Sequence, residues 1–154
     1  MPLETIAMAF SQARNSGAVT VLNPAPARVI PQSLLQLVDI VVPNETESGE
    51  LGGTKALFDL GVNTVVTTLG ADGASIETTS STTHIDPHKV TPVDTVGAGG
   101  AFIGATCAEL SRGASIEDAA RMGAVAGALA TTVKGAVPSL PTRQAVLAAL
   151  RAAQ

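Results

Sequence analysis

The sequence predicts an α/β fold in which helices pack against a mainly parallel β-sheet. The first observation is an alternation of short apolar runs with segments of helical periodicity through the first half of the chain, an order that favours a parallel sheet. The second is the composition, since 45% of the 154 residues are hydrophobic and only 2% are aromatic. A core built from Val, Leu, Ile and Ala suits close packing of helices on a sheet.

Each predicted element of the first half rests on periodicity or on strand propensity. Ile6, Phe10 and Ala13 recur at helical spacing and predict a first helix. Apolar, partly β-branched runs predict three strands, at residues 19–22, 39–42 and 63–68. Helices are predicted at residues 3–16, 32–38, 46–51 and 54–61.

The second half is predicted to begin with a hairpin and to end in helices. Gly70 and Gly73 mark a tight turn before two short strands, at residues 74–79 and 83–85. A glycine-rich stretch over residues 94–100 then leads into an Ala-rich helix that ends near residue 110. Two further helices are predicted, at residues 115–130 and 142–152, with Ser115 and Thr142 as their N-caps.

The charge balance and the cysteine count exclude several classes of protein. A net charge of −4 and a scarcity of aromatics argue against nucleic acid and anionic membranes as partners. No apolar run reaches the ~18 residues of a membrane span, and the start of the chain lacks a basic region typical of secretory signals. The single cysteine, Cys107, is interpreted as a small helix-packing residue. We therefore expect a cytoplasmic protein.

The most informative stretch is Asp94–Gly100, where a glycine-rich turn runs into a helix. Backbone N–H groups of Gly97, Ala98 and Gly99 would point at one spot at the positive end of the helix dipole. Such a spot can bind phosphate or a developing negative charge. The alternative is an ordinary glycine-rich helix entry, and the stretch matches neither a Walker A loop nor a complete G-x-G-x-x-G.

Two other stretches are candidate ligand sites. Asn44 and Glu47 follow a predicted strand and could hold hydrated Mg²⁺ at the carboxyl edge of a parallel sheet; alternatively, Asn44 is a helix N-cap with acids in the first turn. Thr68–Gly73 ends a strand in two glycines and could lie against a nucleotide, or could be a plain hairpin turn. His84 and His88 have no third ligand nearby and are interpreted as surface residues.

These stretches, in this order and spacing, resemble the ribokinase family of carbohydrate kinases (the PfkB family) over essentially the whole chain. The resemblance is carried by five collinear motifs: Asn23-Pro24-Ala25-Pro26-Ala27, Asn44-Glu45-Thr46-Glu47, Thr68-Leu69-Gly70 with Gly73, Asp94-Thr95-Val96-Gly97-Ala98-Gly99, and Lys134-Gly135-Ala136 with Pro138-Ser139. It implies a three-layer αβα ribokinase-like domain that is incomplete relative to the full family fold.

The resemblance also implies a role for each matched residue. Gly97, Ala98 and Gly99 would form the anion hole for the transferring phosphoryl group, and Asn44 and Glu47 would organise Mg²⁺ through water. The residues that would line the ATP cleft are Thr68, Gly70, Gly73, Lys134, Gly135 and Ala136. The ligands implied for K⁺ are the Asp94 carboxylate, the carbonyls of Val96, Ala130 and Gly135, and the Ser139 hydroxyl. The implied reaction is transfer of the ATP γ-phosphate to the primary hydroxyl of ribose.

Two departures from the family pattern qualify that implication. The family signature continues G-A-G-D, whose Asp accepts the proton of the sugar hydroxyl, but here the position is Gly100. Loss of a general base costs about 10²–10⁴-fold in rate. Family members are also much longer, and the half that carries the sugar-binding segment and the lid has no counterpart in residues 1–154. We therefore expect a single, C-terminal, nucleotide-binding part of the domain that is deficient in catalysis.

Two alternative functions follow from the same features. An incomplete sheet would leave an exposed strand edge, so the chain could be a non-catalytic nucleotide-binding or assembly module that pairs with itself or with an N-terminal half. It could also derive from another PfkB sugar kinase or nucleoside kinase, because sugar choice depends mostly on the missing half.

Overall fold

The computed structural model describes residues 1–152, which pack as two compact units. The first unit contains residues 1–68 and 75–83, and the second contains residues 69–74 and those described from His84 onwards. Each unit is described by itself below.

Five strands form one sheet in the order β1-β2-β3-β4-β5. The strands are β1 Val21–Leu22, β2 Ile40–Val41, β3 Thr64–Thr68, β4 Ala74–Thr78 and β5 Thr82–Ile85. The pairs β1–β2 and β2–β3 are parallel, with Val21 opposite Ile40 and Val41 opposite Val65. The α/β fold is confirmed, with a mixed and partly parallel sheet.

The first unit contains four helices, which are α1 Leu3–Asn15, α2 Gln32–Leu35, α3 Glu45–Glu50 and α4 Gly53–Asp59. Apolar side chains of α1, α2 and α4 pack in or against its core. The core cluster of this unit consists of Leu22, Leu35, Val38, Val41, Leu57, Val62 and Val65. Partly buried Ile6 and Phe10 of α1 pack against that cluster, as their helical spacing predicts.

The strand β1 is shorter than predicted, because residues 19 and 20 lie outside it. Val19 is 60% exposed. Thr20 is buried but binds the side chain of Asp39, which accepts from its N–H at 2.8 Å and from its hydroxyl at 2.9 Å. Asp39 also accepts from Arg14 at 2.9 Å, so this carboxylate joins α1 to the start of both strands.

The second unit is mainly helical, with α5 Ala98–Leu110, α6 Ile116–Ala130 and α7 Arg143–Ala152. Ser115 caps α6 by accepting from Asp118 N–H at 3.1 Å, and Thr142 accepts from Ala145 N–H at 3.2 Å, so both predicted caps are confirmed. The helix α5 begins at Ala98, inside the glycine-rich stretch over residues 94–100 that is predicted to precede it. Ala98, Gly99 and Gly100 therefore form its first turn.

Glycines let α5 and α6 approach closely. A Cβ at Gly123 of α6 would clash with the Thr106 hydroxyl and lie 2.8 Å from the Phe102 carbonyl oxygen. A Cβ at Gly127 would lie 3.2 Å from the carbonyl oxygen of Ala98. The absence of a side chain at these two positions lets α6 pack closely against α5 between Ala98 and Thr106.

Among residues 1–152, we find no helix with both the length and the apolar character that crossing a membrane requires.

Candidate functional site

The predicted site residues fall into two groups, one in each unit. The first unit holds Asn44, Glu47 and Thr68. The second unit holds the remaining predicted residues: Gly70, Gly73, Asp94, Val96, Gly97, Ala98, Gly99, Gly100, Ala130, Lys134, Gly135, Ala136 and Ser139.

Asn44 and Glu47 bind each other in a capping box at the start of α3. The Glu47 N–H donates to Asn44 Oδ1 at 2.8 Å, and the Asn44 N–H donates to Glu47 Oε2 at 2.9 Å. This reciprocal pairing satisfies two N–H groups that the helix leaves free. The N-cap alternative is therefore confirmed for Asn44, and the cap uses only one of the two Glu47 carboxylate oxygens.

The capping box lies at the carboxyl ends of neighbouring strands. Asn44 follows β2 and forms an isolated parallel bridge with Thr68, the last residue of β3. The Thr68 N–H donates to the Pro43 carbonyl at 3.0 Å. Asn44 is exposed, while Glu47 and Thr68 are half-buried. This is the edge of a parallel sheet at which open α/β proteins bind ligands.

The turn over residues 69–73 needs its second glycine for reasons internal to the protein. Leu69 N–H donates to the Gly73 carbonyl at 2.8 Å, which closes the turn. Gly73 has φ +89°, and a Cβ there would clash with the Ile85 carbonyl and lie 2.9 Å from Pro87 N. Gly73 therefore lies against the end of β5 and the residues that follow it. The turn alternative accounts for this glycine without a ligand.

Asp94 connects the glycine-rich loop to the loop after α6. Its Oδ1 accepts from Val96 N–H at 3.0 Å, and its Oδ2 accepts from Gly135 N–H at 2.8 Å. Its own N–H donates to the Thr131 carbonyl at 3.0 Å. The N–H groups of Val96 and Gly135, in that order of effect, hold the pKa of the Asp94 carboxyl below its ordinary value. Asp94 is therefore anionic at neutral pH.

Gly97 is the N-cap of α5 and has no room for a side chain. Its φ is +88°, and a Cβ would lie 3.0 Å from Ala136 Cα and 3.3 Å from the Ala136 carbonyl oxygen. Gly97 contributes no side chain to the cap, and the first turn of α5 contains no acidic residue. The first intrahelical N–H bond runs from Ala101 to the Gly97 carbonyl at 2.9 Å.

Gly99 and Gly100 face open space. A Cβ built at either position meets no atom within 4 Å among the residues described here. The backbone N–H groups of such a first turn have no intrahelical carbonyl partner and carry the positive end of the helix dipole. The Ala98 N–H donates to the Thr95 carbonyl at 3.3 Å, and the absence of side chains at Gly99 and Gly100 leaves room beside the turn for an anion or for a side chain at position 100.

The predicted K⁺ ligands lie along the two segments that Asp94 connects. Ala130 ends α6 and is fully buried, and Ser139 is 4% exposed. The Ser139 hydroxyl donates to the Ala136 carbonyl at 2.8 Å, which leaves its oxygen lone pairs free to accept or to ligate. A carboxylate, a hydroxyl and carbonyls are hard oxygen donors, so the chemistry of this set fits an alkali cation.

Two contacts of the site cannot be predicted from the sequence. The Thr131 carbonyl accepts from both Val93 N–H, at 2.7 Å, and Asp94 N–H. Ala136 packs against Gly97 across a gap of 39 positions along the chain (136 − 97). Both are backbone contacts between distant segments, and no residue type or spacing predicts them.

Comparison with known proteins identifies the family to which the chain belongs. The sequence model of the pfkB family carbohydrate kinases matches residues 1–143. A ribokinase of Staphylococcus aureus (strain COL) is 38% identical over 159 residues, which cover 95% of this chain and 52% of the relative. The chain thus spans about half the length of the curated relatives it matches.

Solved structures show the same relationship. Arabidopsis thaliana ribokinase complexed with ribose and ATP has a TM-score of 0.86 and 31% identity, over 97% of this chain and 53% of that one. A putative ribokinase II from E. coli in complex with ATP and Mg²⁺ has a TM-score of 0.76 and 23% identity, over 94% of this chain and 52% of that one, and supports the fold alone. On this sequence and structural agreement, the chain belongs to the pfkB family of carbohydrate kinases.

Proposed function

We propose that this chain is the nucleotide-binding part of a ribokinase-type sugar kinase, that it binds ATP, and that glycine at position 100 makes it deficient in phosphoryl transfer. The observation that carries the proposal is the first turn of α5, where a Cβ built at Gly99 or Gly100 meets no described atom within 4 Å and no acidic side chain is present. Such a turn favours a phosphate group and offers no general base.

The residues of this chain would act on the nucleotide in distinct ways. The N–H groups of Gly97, Ala98 and Gly99 would receive the phosphate group that is transferred, because negative charge develops there. Gly70, Gly73 and the loop Lys134–Ala136, all in the second unit, would line the cleft of the nucleotide. A relative with ribose and ATP bound supports both ligands as the substrate pair.

Asn44 and Glu47 would hold hydrated Mg²⁺, whose chemistry when bound is to neutralise phosphate charge. Their fit rests on the Glu47 oxygen that the capping box leaves unused. Asp94 and Ser139, with the carbonyls of Val96, Ala130 and Gly135, would hold K⁺ beside the first turn of α5. The anionic state of Asp94 suits a cation there.

Calorimetric titration of the whole chain with Mg·ATP, in potassium and in sodium buffer, tests the proposal. We expect saturable binding that is tighter in potassium. Binding that is equal in both buffers would refute the cation assignment, and no binding in either buffer would refute nucleotide binding by this chain.

A second candidate is an assembly module, which the open edge of β1 favours. β1 stands at the end of the strand order with β2 as its partner. The helix α1, next to it in sequence, contains no buried residue, and Met8 is 75% exposed. An unpaired edge beside exposed apolar side chains is a site for pairing with another chain.

Sedimentation velocity with hydrophobic-dye binding tests the assembly candidate. We expect self-association at micromolar concentration, or dye binding that a ribokinase N-terminal half suppresses. A monomer that binds no dye would rule this candidate out.

A further inference from the structure

The carboxylate of Asp94 is shared between two loops of the second unit. One oxygen accepts from Val96 N–H, one residue before Gly97, and the other accepts from Gly135 N–H, one residue before Ala136. Both bonds have a charged acceptor, and such hydrogen bonds are about twice as strong as neutral ones. The Asp94 carboxylate therefore restrains each loop at the residue just before Gly97 or Ala136.

The residues that follow these two N–H groups contact each other. Gly97 lies so close to Ala136 that a Cβ would reach 3.0 Å from its Cα. The Ser139 hydroxyl binds the Ala136 carbonyl at 2.8 Å and fixes the far side of the second loop. Gly97 is also the N-cap of α5, so any shift of the second loop changes the direction of the first free N–H groups.

We propose that Asp94 is a positioning residue for the anion hole, and that it acts through its hydrogen bonds to Val96 and Gly135. It holds Gly97 against Ala136, and this contact fixes the orientation of the first-turn N–H groups of α5. The inference rests on the proposed phosphate binding at this turn. It differs from the cation assignment because the restraint comes from N–H groups of the protein.

The two roles differ in the cation dependence that they predict. If Asp94 acts only as a ligand of K⁺, its removal should weaken anion binding in potassium and leave binding unchanged with a cation too large for the site. If Asp94 also positions the turn, its removal should weaken anion binding with the large cation as well. Tetramethylammonium is a suitable large cation, and inorganic tripolyphosphate is a suitable probe because it has no base or sugar.

Three variants separate the contributions of charge and hydrogen bonding. Asp94→Ala removes both acceptors. Asp94→Asn keeps one acceptor and turns an amide NH₂ towards the other N–H, and it serves if the alanine variant fails to fold. Asp86→Asn is the matched control, because that aspartate is in the same unit and its side chain is 98% exposed.

The experiment combines amide NMR of the free chain with tripolyphosphate titration. In the wild type, we expect the amides of Val96 and Gly135 to exchange at least about tenfold more slowly than in Asp94→Ala, because a hydrogen bond to a charged group is lost. The signals of Gly97, Gly99 and Ala136 should shift together in Asp94→Ala and Asp94→Asn, and not in Asp86→Asn. Tripolyphosphate affinity should fall about tenfold or more in Asp94→Ala in tetramethylammonium, and at least as much in potassium.

The outcomes test the positioning role of Asp94 and the proposed nucleotide binding separately. A change of signals in only one loop, or a loss of affinity confined to potassium, would overturn the positioning role. If the wild type binds no tripolyphosphate at all, the proposed nucleotide binding fails. In that case the joint shift of both loops in the free protein still decides whether Asp94 positions the first turn of α5.

Discussion

Gly100 stands at a position where the protein has room for a side chain. Nothing described lies within 4 Å of a Cβ built there, and Gly100 belongs to the first turn of a 13-residue helix. Glycine in a helix costs about 0.5–1 kcal/mol relative to alanine, and an acid in the first turn gains about 0.3–1 kcal/mol from the dipole.

We therefore predict that Gly100→Asp stabilises the chain, by about 1 kcal/mol in total. Thermal unfolding measures this, and Gly100→Asn separates the charge from the added side chain. We also predict that Gly100→Asp alone does not restore normal phosphorylation of ribose by this chain, which matches only about half the length of its relatives. Robust ribose turnover by that variant would contradict this.

The capping box gives Glu47 a folding role that is separable from any metal role. Glu47→Gln keeps an acceptor for Asn44 N–H and removes the charge, whereas Glu47→Ala removes both. We predict that Glu47→Ala lowers the free energy of unfolding by about 1 kcal/mol and that Glu47→Gln changes it little. If Glu47 also organises Mg²⁺, both variants should weaken the Mg²⁺ dependence of ATP binding. If the Mg²⁺ dependence of ATP binding is unchanged in Glu47→Gln, Glu47 has a helix-capping role and no role in Mg²⁺ binding.

For single residues, the sequence predicts interactions between positions that are close together along the chain. Asn44 and Glu47 are three positions apart, and both interpretations of the pair follow from that spacing. The bond from Gly135 to Asp94 spans 41 positions, and only the fold brings these residues together. The family resemblance identified both residues as ligands of a cation, but it did not predict the hydrogen bond between them.

The packing of α5 on α6 depends on glycine in α6. Gly123→Ala would force a methyl group against the Phe102 carbonyl, 2.8 Å away, and against the Thr106 hydroxyl. We predict a loss of about 1–3 kcal/mol, the usual cost of overpacking. Gly104→Ala is the control on α5, because its Cβ meets no described atom; it should gain about 0.5–1 kcal/mol. Equal effects at both positions in chemical denaturation would contradict the packing argument.

An ion pair joins α5 to α7 and should make stability depend on pH. Arg143 donates to Glu109 from Nε at 2.7 Å and from Nη2 at 3.0 Å, and Glu109 is only 8% exposed. Hydrogen bonding from Arg143 is the main cause that lowers the pKa of Glu109, whose ordinary value is 4.5. A lowered pKa means that the unfolded chain takes up the proton first as the pH falls.

The stabilisation from this pair is therefore fully present above pH 4.5 and is lost as the pH falls through the lower pKa of the folded state. We predict that Glu109→Gln is less stable than the wild type at pH 7, and that the difference shrinks towards pH 3. Urea unfolding at a series of pH values measures it. A difference that is constant with pH would show that the pair does not contribute through its charge.

The helices and strands are largely predictable, because the spacing of apolar residues within each segment indicates which of the two it forms. The predicted start of α5 was wrong by a few residues, since glycines at positions 99 and 100 disfavour a helix but contact with α6 holds the turn helical. Strands β1 and β2 proved shorter than their apolar runs, because exposure and side-chain bonding end the pairing early.

For the whole molecule, the sequence predicts an α/β class and family motifs predict the fold, but neither gives the strand order. That order leaves β1 at the end of the sheet, with parallel pairing to β2 and then β3. The chain matches about half the length of its relatives, and the remaining residues of each relative are unmatched. Whether the chain binds ATP without them is the question that the Mg·ATP titration answers.

The turn glycine at position 73 has an evolutionary consequence. Its lack of a side chain is demanded by the Ile85 carbonyl, so selection for a folded chain alone would retain it after nucleotide binding had been lost. The same holds for Gly97, which Ala136 constrains, and for the Asn44–Glu47 cap. Gly99 and Gly100 carry no such requirement. Under relaxed selection, a family signature of this kind would erode first in the first turn of α5, and that is where this chain departs from it.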